Sequence, residues 1–201
     1  MKIVDLKPNA RVIVLALLVG TASWPLAAKV FLTQEEALKL AFPGGAVERR
    51  TAFLTKDQQR EAQKLSGGDV LPGALVAYYV GTTDGRVLGT AYFDTHVVRT
   101  MTETIMVVVD PRGAVARIEV LSFSEPEEYL PRPHWYSQFA GKALNDELSM
   151  KRGIRPVAGA TLTARATTEA ARRVLALDQV IHRGVAARPT STPARPAGGS
   201  R

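Results

Sequence analysis

Chemistry in this chain is concentrated where a turn of small residues runs into an amphipathic helix, at Val157-Ala158-Gly159-Ala160-Thr161-Leu162-Thr163. A glycine lets backbone approach a ligand closely, Ala160 adds no bulk, and the first amides of a helix point outward at partial positive charge. That combination suits a phosphate or another compact anion. Thr161 and Thr163 supply two hydroxyls, which can cap the helix or be esterified. Arg155, just upstream, carries a guanidinium able to fork onto phosphate oxygens or to sit in solvent.

Other chemistries are thinly represented. His96, His134 and His182 lie far apart without metal-ligand spacing, so each is expected at the surface or packed in a hairpin. No Gly-x-Ser-x-Gly elbow, P-loop or Gly-x-Gly-x-x-Gly occurs, and no nucleophile–base pair can be named. The 201 residues contain no cysteine, which excludes disulfides, iron–sulfur clusters, zinc-thiolate sites and thioether-attached haem. Redox chemistry here needs an organic cofactor.

The elements that must position this turn are legible from pattern. From Thr161 or Thr163 a helix runs to about Ile181, with Ala166, Ala170, Val174, Leu177 and Ile181 on its apolar face. Arg165, Glu169, Arg172 and Arg173 are assigned to the opposite face, where Glu169 can pair with Arg172 and Arg173. Strands are expected at Ala74–Gly81 and Arg86–Thr95, joined through Asp84-Gly85, and at Thr102–Val109 and Ala114–Phe123, joined through Asp110-Pro111-Arg112-Gly113. Upstream, Thr33-Gln-Glu-Glu36 and Thr55-Lys-Asp-Gln58 have capping-box spacing and open two helices around a strand at Val47–Leu54. A short helix is expected near Trp135–Ala143 in an otherwise irregular stretch, 124–158. The expectation is therefore an α+β fold: an antiparallel sheet from two hairpins with a long C-terminal helix.

A chain with 46% hydrophobic and 22% charged residues can bury a core, and its length suits one domain rather than two. Residues 29–73 form the N-terminal helix–strand–helix segment of that domain, 74–183 its principal part, and 184–201 a Pro/Ala/Gly/Arg tail expected to be disordered. Of the formal charge of +7, +2 falls on residues 1–28 and +3 on 184–201, which leaves only +2 on the body. Such a balance excludes a nucleic-acid partner, which would demand a basic face. Lys2, Lys7 and Arg11 precede an uncharged stretch, Val12 to Ala28, with small residues at its exit. That reads as a signal peptide or a membrane anchor through 12–28, and it places the body in the periplasm or on the outer face of the cytoplasmic membrane.

Gly159-Ala160-Thr161-Leu162-Thr163 leading into a helix resembles the flavinylation motif of the FMN-binding domain family, found in subunits of the sodium-pumping NADH:quinone oxidoreductase and of Rnf-type electron-transport complexes. Ser124-Glu125-Pro126 resembles the family's acidic-Pro segment, and Trp135 to Lys142 its aromatic and Gly-Lys segment, so that the resemblance spans about 75–181. It implies FMN as cofactor, attached through its phosphate to Thr161 by a flavin transferase, with Gly159, Ala160, Leu162 and Thr163 around the phosphate. Glu125 and Arg155 join the candidate cofactor residues, and Trp135 is a candidate ring neighbour that core packing would equally explain. Two positions differ from the family pattern: Ala158 stands where Ser or Thr is usual, and Arg155 where an acid is usual. The resulting expectation is an exported electron carrier, or a subunit of an oxidoreductase complex rather than a stand-alone enzyme, with FMN held covalently or tightly bound. It would exchange electrons with membrane or periplasmic proteins. The alternative is a non-redox periplasmic interaction or assembly module that kept the fold without flavin.

Overall fold

Local signals set the element ends. Thr33 and Thr55 each accept from the backbone amide three residues on, and the Glu36 and Gln58 side chains return the bond, which completes both capping boxes. In this computed structural model, which describes residues 29–68, 73–150 and 152–186, they open α1 (Gln34–Ala41) and α2 (Lys56–Ser66). The expected export segment within 1–28 lies outside the described residues. Among those described, no helix is long and apolar enough to cross a membrane.

Among the described residues, six strands form one sheet: β1 (Lys29–Val30), β2 (Ala46–Phe53), β3 (Leu75–Thr83), β4 (Arg86–Val97), β5 (Thr102–Val109) and β6 (Val115–Phe123). Their order is β1-β6-β5-β4-β3-β2 and every pairing is antiparallel, as the α+β expectation requires. At the β3–β4 turn Asp84 and Gly85 both have positive φ, +47° and +73°, the requirement of the tight turn that matches strand twist. At the β5–β6 turn the Asp110 carboxylate accepts from the amides of Arg112 and Ala114. The N-terminal segment thus adds both edge strands to the two expected hairpins.

The 26-residue α4 (Thr161–Ala186) packs with α2 across one face of the sheet, burying Ala170, Val174, Leu177 and Ile181 against Tyr92, Ile105 and Val107. Helix α1 covers the other face, where Phe42 meets Ala91, Met106 and Val108. Central β5 is consequently buried on both sides, and its Ile105–Val109 run is continuously apolar rather than alternating. Helix α4 also extends three residues into the expected tail; 187–201 lie outside the described residues.

Two expectations are corrected. The helix expected near Trp135–Ala143 is a single turn, α3 (Pro133–Tyr136), followed by a 3₁₀ turn at Ser137–Phe139. Pro133 occupies its start, where a missing amide proton is harmless, and Gly141 at φ +75° directs the chain away. The second concerns the polar face of α4. Arg173 is buried and bonds Asp94 with both Nε and Nη2, at 2.9 and 2.8 Å. Arg172 donates to the carbonyls of Ser66, Asn145 and Leu148. The buried carboxylate and the three carbonyls hold these guanidiniums in geometries that a solvated Glu169 could not offer.

Candidate functional site

Helix α4 begins without a side-chain cap. The carbonyl of Ala160 accepts the first helical bond, from the Ala164 amide at 2.9 Å, so Ala160 occupies the N-cap position. Alanine offers nothing to the orphan amides of the first turn, and those of Thr161, Leu162 and Thr163 have no acceptor among the described residues. The capping reading of the two threonines is thereby removed. Thr161 is exposed at the first helical position, its hydroxyl donating to the Val157 carbonyl at 3.2 Å. Thr163 is 1% exposed and donates to the Tyr129 carbonyl at 2.5 Å. The two hydroxyls thus differ: one is accessible, the other structural. Gly159 has φ +81°, and a Cβ there would meet nothing within 4 Å. Left-handed backbone, rather than crowding, is what demands glycine.

These residues line a recess of about 140 Å³ together with Arg99 and Tyr129. The guanidinium of Arg99 lies over the Tyr129 ring, 4.5 Å from its centroid. Among the described residues, no acidic side chain lines the recess. Its volume is well below the roughly 300–1,000 Å³ of pockets that enclose a whole small ligand, so it admits an anionic group and not a fused ring system. A larger groove of about 790 Å³ runs beside β6 and α3. Its charged lining residues, Arg117 and Glu119, neutralise each other at 2.5 Å. The small recess is therefore the better anion site.

Residues 101–176 match the family model of the FMN-binding domain. This chain carries an FMN-binding domain. FMN is the cofactor that the domain indicates, and the residues present fit its phosphate end: three uncapped amides, an open glycine, a cation in the lining and an accessible hydroxyl. No curated protein and no solved structure matches this chain.

The remaining sequence-derived candidates fall around the FMN-binding domain's recess rather than in it. Trp135 is buried in the core, outside the recess lining, and its indole Nε1 donates to the Arg155 carbonyl at 2.7 Å. Arg155 is exposed, and its amide donates to Gln138 Oε1 at 2.7 Å. Both therefore hold the backbone that leads into the motif. Glu125 is buried, and one of its oxygens accepts from the amides of Thr100 (2.7 Å) and Met101 (2.9 Å) and from the Thr100 hydroxyl. Those amide bonds, with the hydroxyl and Arg99 nearby, hold its carboxyl below the usual carboxylate range. Sequence reasoning missed Arg99, which stands 60 residues before Gly159 in a turn with no motif of its own.

Beneath the site of the FMN-binding domain lies a buried polar network that sequence also left unread. Glu103 is fully buried and accepts from the Thr167 hydroxyl at 3.1 Å, while His96 sits between Glu103 and Asp94 at 3.0 and 2.9 Å. Burial pushes His96 down, but its hydrogen bonds to the two carboxylates prevail and hold it at about 9. Two carboxylates thus face His96 and Arg173, two cations, and the charges balance. Burial raises the Tyr136 hydroxyl, which lies 3.5 Å from Glu103. His96 is packed within the hairpin, as expected; His134 and His182 are exposed. No cluster of three His, Cys, Asp or Glu able to hold a metal occurs among the described residues.

Proposed function

We propose that this protein is an exported electron-transfer flavoprotein whose FMN is held through its phosphate at Thr161. The observation that carries the proposal is the uncapped start of α4, where three amides without acceptors among the described residues meet an exposed hydroxyl. Bound FMN supplies one- and two-electron redox chemistry. The protein's part is binding and placement. The Thr161, Leu162 and Thr163 amides and the helix dipole stabilise phosphate charge. Gly159 permits close approach, and Thr163 ties the first turn to Tyr129. Trp135 fixes the backbone at Arg155. In the covalent form a flavin transferase moves the FMN phosphoryl group from an activated FMN donor to Thr161: the Oγ–P bond forms, the donor's P–O bond to its leaving group breaks, and that leaving group departs with the hydroxyl proton. The net product is protein plus FMN less one water. Partners would be membrane or periplasmic redox proteins, reached through export or anchoring by residues 12–28.

Expression of the full chain with and without a flavin transferase tests the reading. Flavin absorbance should co-purify with the protein, either surviving denaturation (covalent) or released by it (tightly bound). A colourless protein under both conditions would support the non-redox interaction module instead, for which Ala158 and Arg155 are the motivating departures.

A further inference from the structure

Arg99 has a geometry that the flavin reading does not by itself require. It sits in the turn joining β4 to β5, closed by a bond from the Val98 amide to the Met101 carbonyl at 3.0 Å. Glu125, arriving from the end of β6, grips the same turn through the Thr100 and Met101 amides. The guanidinium then lies on Tyr129, whose own carbonyl is bonded to Thr163 in the first turn of α4. Three distant segments therefore converge on one recess, each fastened to the next. Arg99 is the one cation lining that recess among the described residues. Stacking on an aromatic face holds a guanidinium in place while leaving its N–H groups free for an anion. The same recess is lined by Thr161, Leu162 and Thr163, whose amides are uncapped.

We infer that Arg99 is the phosphate-binding cation of this site, positioned by Glu125 and Tyr129, so that a phosphate monoester is held by the guanidinium and the helix-start amides together. This rests on the reading that the FMN phosphate sits at Gly159 to Thr163. A charge-assisted contact of this kind contributes enough for roughly a tenfold change in affinity.

The test uses the full chain produced without flavin transferase, titrated with FMN and with riboflavin, which lacks the phosphate. Wild type should prefer FMN, and inorganic phosphate should compete with it. Arg99→Gln should weaken FMN about tenfold and leave riboflavin unchanged; Arg99→Lys, which keeps the charge but loses the fork, should fall between. Glu125→Gln should lower the FMN-to-riboflavin ratio in wild type and add nothing in an Arg99→Gln background, an outcome that general destabilisation would not produce. If Arg99→Gln and Arg99→Lys both keep the wild-type ratio, the assignment of Arg99 is overturned while the flavin site stands. If wild type binds neither flavin, the assignment fails as well. Labelling by the transferase then decides whether the flavin reading survives.

Discussion

Raising the pH from about 6 to about 9.5 should remove on the order of 3 kcal/mol of folding stability, and His96 should account for most of that loss. Its side chain is only 10% exposed, between Asp94 on its own strand and Glu103 on β5, with Arg173 and Thr167 of α4 and Tyr136 of α3 completing the surroundings. Despite burial, which acts in the opposite direction, its two carboxylate bonds raise its pKa from 6.5 to about 9. At about 1.4 kcal/mol per unit, that shift gives the magnitude. The sign follows from proton counting. Between the unfolded and folded values the native state holds a proton that the unfolded chain has released, so stability falls as pH rises. The contribution is whole below 6.5 and gone above about 9. Urea unfolding of wild type and His96→Gln at several pH values would check it. The variant should be the less stable at about pH 6, and the two curves should converge near pH 9.5. His182, raised by its bond to Asp178, titrates in the same direction, so both proteins should carry His182→Gln. Parallel pH profiles for the two would refute the reasoning.

Removing Arg173 should be more severe. Arg173→Met leaves Asp94 and Glu103 sharing one cation and should lower stability by about 3–5 kcal/mol in urea unfolding, with partial recovery when Asp94→Asn is added. Gly159→Ala should cost about 1 kcal/mol of thermal stability, because φ +81° is unfavourable for alanine while its methyl meets no neighbour. The same change should reduce FMN retention more than its small effect on melting suggests, since Gly159 lines the recess.

Much of the fold was legible because its signals are local. The two capping boxes and the Asp84-Gly85 turn specify backbone geometry within four residues, and the structure honours each. The two-residue β1 was not legible, since its pairing with Ser122 and Phe123 is purely tertiary. Arg173 shows a subtler miss. It stands three residues after Ala170 and four before Leu177, so helical spacing already places it on the apolar stripe, but its charge argued for solvent. An arginine on a buried stripe signals a buried acid, and Asp94, two residues from His96 on one strand, supplies it. At the site, Gly159 to Thr163 could be read from sequence because turn and helix start are contiguous. Arg99 could not, because only the convergence of three loops brings it there.

The central claim, that the phosphate of FMN is held at Thr161, is tested most directly by intact-mass spectrometry of the exported chain produced with a flavin transferase. The covalent form predicts an added mass of one FMN less one water, abolished by Thr161→Ala and retained by Thr163→Ala, whose hydroxyl is buried against Tyr129. The tightly bound form predicts unmodified protein that releases FMN on denaturation, with release sharply reduced in Thr161→Ala. An adduct that persists in Thr161→Ala, or a protein with neither adduct nor releasable flavin, would contradict the account.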